Sequence, residues 1–332
     1  MMRRELHYGD RVVACHAIRA SNVYTLLTDA VSRNAEGIAM ICDDVTMTYA
    51  ALDAEVKKVA AGLSASGVGS GDRIAMLLGN GVPFVVLTYA AACLGAVTVP
   101  LNTRDQMPGI RHALQNSGAK GLVIEAEFHD LAPPADDTPD LIARFAIGPT
   151  QGFRDYETLR TSAASVLPAD SEEDAVATIL YTSGTTGVPK GATLTGLGIV
   201  HSATNFVQAM GLGPTDTTIV VVPLTRVTGL VAGIHTLIRC AGTIVVLREF
   251  KATKFLEAAA TNRMTYSLMV PAMYNLCLHQ ADLSDFELSD WRIGGYGGAP
   301  MPAATIERLA TALPNLGLMN AYGATETTSP AT

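Results

Sequence analysis

The sequence offers little for a disulfide framework or a zinc cluster. Its five cysteines, Cys15, Cys42, Cys93, Cys240 and Cys277, lie far apart, form no C-x-x-C pair and have no histidine at metal-ligand spacing. Reduced, buried thiols in a cytoplasmic protein are the expectation. Basic runs are missing too. Only 16% of the residues are charged and the formal net charge is −8, so nothing provides an electrostatic footprint for nucleic acid. An anionic ligand must therefore be held by local groups. The N-terminus carries Arg3, Arg4, Arg11 and Arg19 among Glu5 and Asp10 without an apolar stretch, which excludes a secretory signal. Charge is absent from one long run, residues 74–103, which has the length to span a bilayer. Gly79-Asn80-Gly81, Pro83, Gly95 and Pro100 interrupt it, so it reads as strand, buried helix and strand, and not as a membrane span.

What is present is apolar and alternating. Hydrophobic residues make up 48% of 332 positions, enough for a large core and about two domains. Residues 38–41 and 45–48 flank Cys42-Asp43-Asp44 as a hairpin. Leu52, Val56, Val59, Ala60 and Leu63 recur at helical spacing, closed by Gly67. Further strands are predicted over 73–79, 96–100, 121–124, 175–180, 217–222, 243–247, 265–268 and 291–293. Helices are predicted over 83–94, 203–210, 230–240, 253–261, 272–280 and 303–312. Such alternation implies an α/β fold of mostly parallel sheets layered with helices, with ligands beyond the C-terminal ends of strands. The Pro- and Asp-rich segment 131–140 reads as a surface loop, and the domain boundary is placed after it: residues 1–170 as a first α/β subdomain, 171–332 as a second.

One segment carries most of the functional argument: Tyr181-Thr182-Ser183-Gly184-Thr185-Thr186-Gly187-Val188-Pro189-Lys190-Gly191. It follows an apolar run read as a strand and precedes a helical pattern. Its glycines let backbone N–H groups converge on an anion without Cβ obstruction. The hydroxyls of Thr182, Ser183, Thr185 and Thr186 add donors for phosphate oxygens, and Lys190 supplies a point charge for the outer phosphates. The Walker A pattern needs Gly directly before the Lys, where Pro189 stands, and G-x-G-x-x-G is absent from the loop.

This loop resembles the phosphate-binding signature of the acyl/aryl-CoA synthetase, luciferase and peptide-synthetase adenylation superfamily. Two further motifs follow in the family's order. Gly297-Gly298-Ala299-Pro300 resembles the backbone strip of the adenine pocket, and Asn320-Ala321-Tyr322-Gly323-Ala324-Thr325-Glu326 resembles the motif that grips the adenylate. Val270-Pro271-Ala272-Met273, Thr48-Tyr49 and Pro100-Leu101-Asn102 match other recurring segments. The resemblance implies ATP, Mg²⁺ and coenzyme A as cofactors, a small-molecule carboxylic acid as substrate, and a place in fatty acid metabolism; it leaves room for a homodimer. By the same resemblance Glu326 anchors Mg²⁺, Thr325 bonds the α-phosphate and Tyr322 offers a flat face to adenine. Gly298 and Ala299 let a purine lie against the backbone. Thr182, Lys190 and Glu326 form the candidate catalytic set. His201 and His235 are expected to be core or surface histidines and not bases, because a carboxylate is already ionised near neutral pH.

The chain departs from the family on the acyl side. Pro223-Leu224-Thr225-Arg226 stands where Pro-Leu-Phe-His is common, and Leu194-Thr195-Gly196 replaces Leu-Thr-His. Tyr296, directly before Gly297, occupies a position that is usually small. Arg226, Tyr296 and Gly297 are thus the candidate substrate-pocket residues, with Tyr296 expected to shorten an acyl tunnel. Thr-Gly-Asp, which in the family binds the ribose hydroxyls, does not occur, and the family's small C-terminal lid with its catalytic Lys is not represented, so an N-terminal part is expected. The favoured expectation is an acid–CoA ligase. Residues 223–233 hold no acidic residue to pair with an amine, which disfavours an amino-acid-activating domain that loads a carrier protein. A non-catalytic nucleotide-binding fragment is the reading from another class.

Overall fold

Strands that are apolar on both faces need a helical cover on each side. The computed structural model describes residues 1–182 and 188–330. They form two units, Met1–Asp29 with Ala51–His201, and Ala30–Ala50 with Ser202–Thr332.

The first unit holds a seven-stranded sheet in the order Lys190–Thr195, Val176–Thr182, Val97–Pro100, Arg73–Leu77, Ala119–Glu125, Ala143–Ile147 and Arg154–Asp155. Every neighbouring pair is parallel except the first, which is antiparallel. One core cluster gathers Ala75, Leu77, Val99, Leu122, Ile124 and Ala146 against Ile110, Ala113 and Leu114 of the helix Met107–Ser117. The uncharged run becomes the strands Arg73–Leu77 and Val97–Pro100 around the helix Val82–Leu94, which buries ten of its side chains. Pro83 opens that helix and Gly95 closes it at φ +68, a conformation only glycine adopts without strain. Among the described residues no helix is long and apolar enough to cross a membrane. All five cysteines are buried and free.

A separate two-stranded ribbon, Met2–His7 with Arg11–His16, is tied to this unit by charge. Arg19 donates to both oxygens of Glu5 at 2.9 and 2.7 Å and to both of Glu173 at 2.6 and 2.5 Å. Asp174 accepts from the His7 ring at 2.7 Å and from the Tyr8 amide at 2.6 Å. The Arg19 guanidinium, and after it Arg3, hold the Glu5 carboxyl well below the usual carboxylate range. Glu173 and Asp174 are the anchor of the ribbon.

The second unit has a seven-stranded sheet of the same plan: Gly317–Ala321, Ile293–Gly297, Tyr266–Met269, Thr217–Val220, Thr243–Val246, Ile38–Cys42 and Val45–Thr48. Only the last pair, the hairpin expected from the sequence, is antiparallel. Phe255, Tyr274, Trp291, Met301 and Leu309 build the core under its helical face. Trp291 stacks on Tyr274 with centroids 5.9 Å apart and donates from Nε1 to the Ile293 carbonyl at 3.0 Å. The Tyr49 hydroxyl donates to the Gly242 carbonyl at 2.6 Å, which gives the Thr48-Tyr49 landmark a structural role.

The fold class agrees with the sequence reading; the boundary drawn there at 170/171 differs from these units. Val176–Thr182 pairs with Val97–Pro100 and belongs to the first sheet, while Ile38–Cys42 crosses to pair with Thr243–Val246. Sequence position does not reveal which strand a parallel strand pairs with. The sequence reading places no element at the ribbon, at the helices Val23–Asn34 and Met107–Ser117, or at the strands Ala143–Ile147, Lys190–Thr195 and Gly317–Ala321. The helix predicted over 230–240 is a π-helix, Thr228–His235, running into the α-helix Thr236–Cys240. The strand predicted over 291–293 is Ile293–Gly297, glycine-rich and held by neighbours on both sides.

Two outcomes are expected. Trp291→Ala should cost about 3–5 kcal/mol, because it removes a buried ring from a packed aromatic cluster; urea denaturation reads this as a lower midpoint at unchanged slope. Burial pushes the His235 imidazole down to about 3, and burial, helped by His16, pushes His201 down to about 4. Both are neutral when folded and titrate near 6.5 when unfolded. Their contribution to stability is therefore full above about pH 6.5 and is lost as pH falls through about 4 for His201 and about 3 for His235. Thermal midpoints should drop across that window, and His201→Gln should make the drop shallower.

Candidate functional site

The strand Val176–Thr182 rises from the first sheet, and the strand Lys190–Thr195 returns antiparallel to it, with Tyr181 opposite Gly191 and Thr182 opposite Lys190. The Gly- and hydroxyl-rich loop is thus a hairpin connection between two strands, and not the strand-to-helix turn that the sequence suggested. The helix starts later, at Gly196. The reason is local: Lys190–Thr195 is an extended segment that buries Leu194 and exposes Thr193, the alternation of a strand. Ser183, Gly184, Thr185, Thr186 and Gly187 lie outside the described residues. Thr182 is half-buried and Lys190 is exposed.

Both stems of this hairpin meet the helix Met107–Ser117. The Tyr181 hydroxyl lies 2.7 Å from Asn116 Oδ1 and 3.2 Å from the Ala113 carbonyl. His112 Nε2 lies 3.0 Å from the Pro189 carbonyl. The His112 and Tyr181 rings meet edge to face, with centroids 6.2 Å apart. Burial raises the Tyr181 phenol, which keeps it a donor. Sequence reasoning missed His112 and Asn116 because no helix was recognised there: Pro108 and Gly109 near its start dilute the pattern.

In the second unit the other two motifs leave adjacent parallel strands side by side. Tyr296 pairs with Asn320 and Gly297 with Ala321. A Cβ at Gly297 would lie 2.5 Å from the Ala321 carbonyl oxygen, so the close approach demands glycine. Beyond it, Gly298, Ala299 and Pro300 are exposed, with Gly298 at φ +78. Asn320, Tyr322, Gly323 and Glu326 are exposed, while Ala321 and Thr325 are half-buried; the Tyr322 ring keeps 70% of its surface. A short turn, Thr325–Thr327, carries Glu326. The Thr327 hydroxyl secures it, accepting from the Ala324 amide at 3.1 Å and donating to the Ala324 carbonyl at 2.9 Å.

The acyl-side candidates behave differently. Tyr296 shares its sheet face with Gly294 and packs against the helical core cluster of Trp291 and Tyr274. On the opposite face, toward which Gly295 is directed, Phe206, Met210, Met319 and Ala321 line a cleft of about 210 Å³. Strand alternation sends residue 296 to the helix side, where the partly buried Tyr296 ring packs against that cluster and is not among the residues lining the cleft. Arg226 is exposed on the turn before the π-helix, where Gly229 passes so close that a Cβ would meet the Pro223 carbonyl at 2.5 Å. His235 is fully buried, and His201 lies against His16 with ring centroids 4.9 Å apart.

Among the described residues, one group of three ligand-type side chains comes within ligating distance, Glu5, His7 and Cys15 in the ribbon. The contacts of Arg19 occupy both Glu5 oxygens, so this group reads as an ion network.

This geometry agrees with similarities to known proteins. The sequence pattern described as AMP-binding enzyme matches residues 27–332. A long-chain-fatty-acid–CoA ligase, FadD13, of Mycobacterium tuberculosis is 33% identical over 291 residues, covering 85% of this chain and 56% of that protein. A feruloyl-CoA synthase of Amycolatopsis is 32% identical over 288 residues, covering 84% and 54%. The chain thus spans about half the length of the curated relatives it matches. The crystal structure of the inhibitor-bound N-terminal domain of FACL13 from Mycobacterium tuberculosis superposes with a TM-score of 0.84 at 29% identity, over 93% of this chain and 77% of that one. O-succinylbenzoate CoA synthetase from Bacillus subtilis, in complex with AMP, superposes with a TM-score of 0.79 at 27% identity, over 92% and 74%. Strand order, motif placement and a family match over nearly the whole sequence converge: the chain belongs to the AMP-binding enzyme family.

Proposed function

We propose that the protein activates a carboxylic acid with ATP to an acyl-adenylate and passes the acyl group to coenzyme A. The observation that carries this reading is the register of Gly297 with Ala321, which brings the adenine strip and the Asn320–Glu326 motif out at the C-terminal ends of adjacent parallel strands. The family relationship and the CoA ligases among its relatives support it.

The chemistry follows from charge. A carboxylate oxygen forms a bond to the α-phosphorus while the bond to pyrophosphate breaks. A thiol sulfur then attacks the acyl carbonyl, loses its proton and displaces AMP. Bringing two anions together requires positive groups fixed in advance. Lys190, exposed beside Thr182 at the mouth of the hairpin, is proposed to meet the outer phosphates. The loop hydroxyls and amides of Ser183, Gly184, Thr185, Thr186 and Gly187 are proposed to surround them. Adenine is proposed to lie on Gly298, Ala299 and Pro300 beside Tyr322, with Asn320, Ala321, Gly323 and Thr325 framing the adenylate.

Mg²⁺ fits the donor set here. Glu326 is an exposed carboxylate on a turn flanked by the hydroxyl-bearing Thr325 and Thr327, and it belongs to no group of three or more His, Cys, Asp or Glu ligand atoms among the described residues. That suits a hard cation that keeps several waters and takes few protein ligands. When bound, the ion supplies charge neutralisation between phosphate oxygens. The acid itself is proposed to lack an α-amine, because residues 223–233 contain no acidic side chain. A cytoplasmic location remains part of the proposal and a homodimer an assembly compatible with it.

Binding measurements by calorimetry test the roles. Lys190→Ala should weaken ATP by about 1–3 kcal/mol and AMP by much less, the size of a charge-assisted contact. Glu326→Ala should flatten the Mg²⁺ dependence of ATP binding while AMP binding is retained. Equal binding of ATP and AMP by both variants and the parent would refute the assignments. Gly297→Ala should abolish adenine-nucleotide binding at either phosphate length, since the new Cβ would push Ala321 out of register.

A further inference from the structure

We infer that His112 is a positioning residue for the phosphate loop, acting through the Pro189 carbonyl to set the direction from which Lys190 reaches its ligand. The inference rests on the reading of the 182–190 segment as a phosphate site and deepens it.

A carbonyl oxygen can only accept, so the 3.0 Å contact requires the proton on His112 Nε2. That bond fixes the plane of the peptide joining Pro189 to Lys190. Pro189 has no N–H to donate, so its carbonyl is the backbone group through which His112 holds the second stem. The first stem is held by the same helix. The Tyr181 hydroxyl reaches Asn116 and the Ala113 carbonyl, and its ring lies over Gly191, where a Cβ would approach Tyr181 Cζ to 3.3 Å. His112 and Asn116, four residues apart, lie on one face of the helix. Ile110, Ala113 and Leu114 of this helix are buried in the core, which anchors it. One helix thus clamps both ends of a glycine-rich loop whose lysine is left exposed.

The alternative is a merely structural histidine. His112 is only half-buried, and the contacts it makes at the hairpin are to the loop-bearing residues Tyr181 and Pro189. Loss of its donor should therefore be felt at the loop and not across the fold.

The test compares His112→Phe, a ring without a donor, with His112→Gln, a donor without a ring. Three quantities are measured in this protein: Kd for ATP and for AMP at fixed Mg²⁺, amide hydrogen exchange of residues 190–195 without ligand, and the thermal midpoint. His112→Phe is expected to raise the Kd for ATP about 10-fold and leave that for AMP within about twofold, the loss of roughly one hydrogen bond. Exchange at 190–195 should speed up about 10-fold in the same variant. His112→Gln should return both readings to within about threefold of the parent. ATP binding or exchange unchanged by His112→Phe overturns the inference. So does equal weakening of ATP and AMP with a lowered thermal midpoint, or failure of glutamine to rescue. A parent protein that binds neither nucleotide defeats the phosphate-site reading instead, and faster exchange in the phenylalanine variant would still register the clamp.

Discussion

The contact between Gly297 and the Ala321 carbonyl is the constraint on which the second unit's site depends. Two parallel strands run so close there that no side chain fits between them. The register this enforces makes the chain leave both strands at one level, Gly298 to Pro300 from one and Tyr322 to Glu326 from the other. Parallel neighbours cannot be joined by a tight turn. The helix Ala303–Ala312 makes the return, and its Leu309 is buried with Met301 and Trp291. Packing of that crossover and placement of the motif ends are therefore one problem, solved by the same core.

The first unit meets the opposite demand. Its sheet ends in an antiparallel pair, which sets Thr182 opposite Lys190, the two described residues flanking the glycine-rich segment. Lys190 is exposed at that point, in a chain of net charge −8.

On the acyl side, direction matters as much as residue type. Tyr296 is large for its place in the motif, and strand alternation puts it on the helix side, partly buried against the aromatic cluster. Arg226, a costly residue if buried without a partner, is exposed. The family's usual identities at these two positions therefore differ here without either side chain lining the Phe206 cleft.

By itself the sequence determined the fold class, most strands and helices of the parallel sheets, and the three motifs. Each of these is local: β-rich runs, helical spacing, and glycines or hydroxyls within a dozen positions. It also contained the reasons for the hairpin Ile38–Thr48, a turn between two apolar runs, and for a buried helix in place of a membrane span. Tertiary structure alone decided which strands pair, and so sent Val176–Thr182 to the first sheet and Ile38–Cys42 to the second. It decided that the strands flanking the Gly- and hydroxyl-rich segment pair antiparallel, that Glu173 and Asp174 anchor a ribbon, and that Tyr296 packs against the aromatic core. It also brought His112 to Pro189 across 77 positions. The physical reason is common to all of them: partner choice depends on the summed burial of surfaces distant in the chain, and no local preference of a single segment encodes that sum.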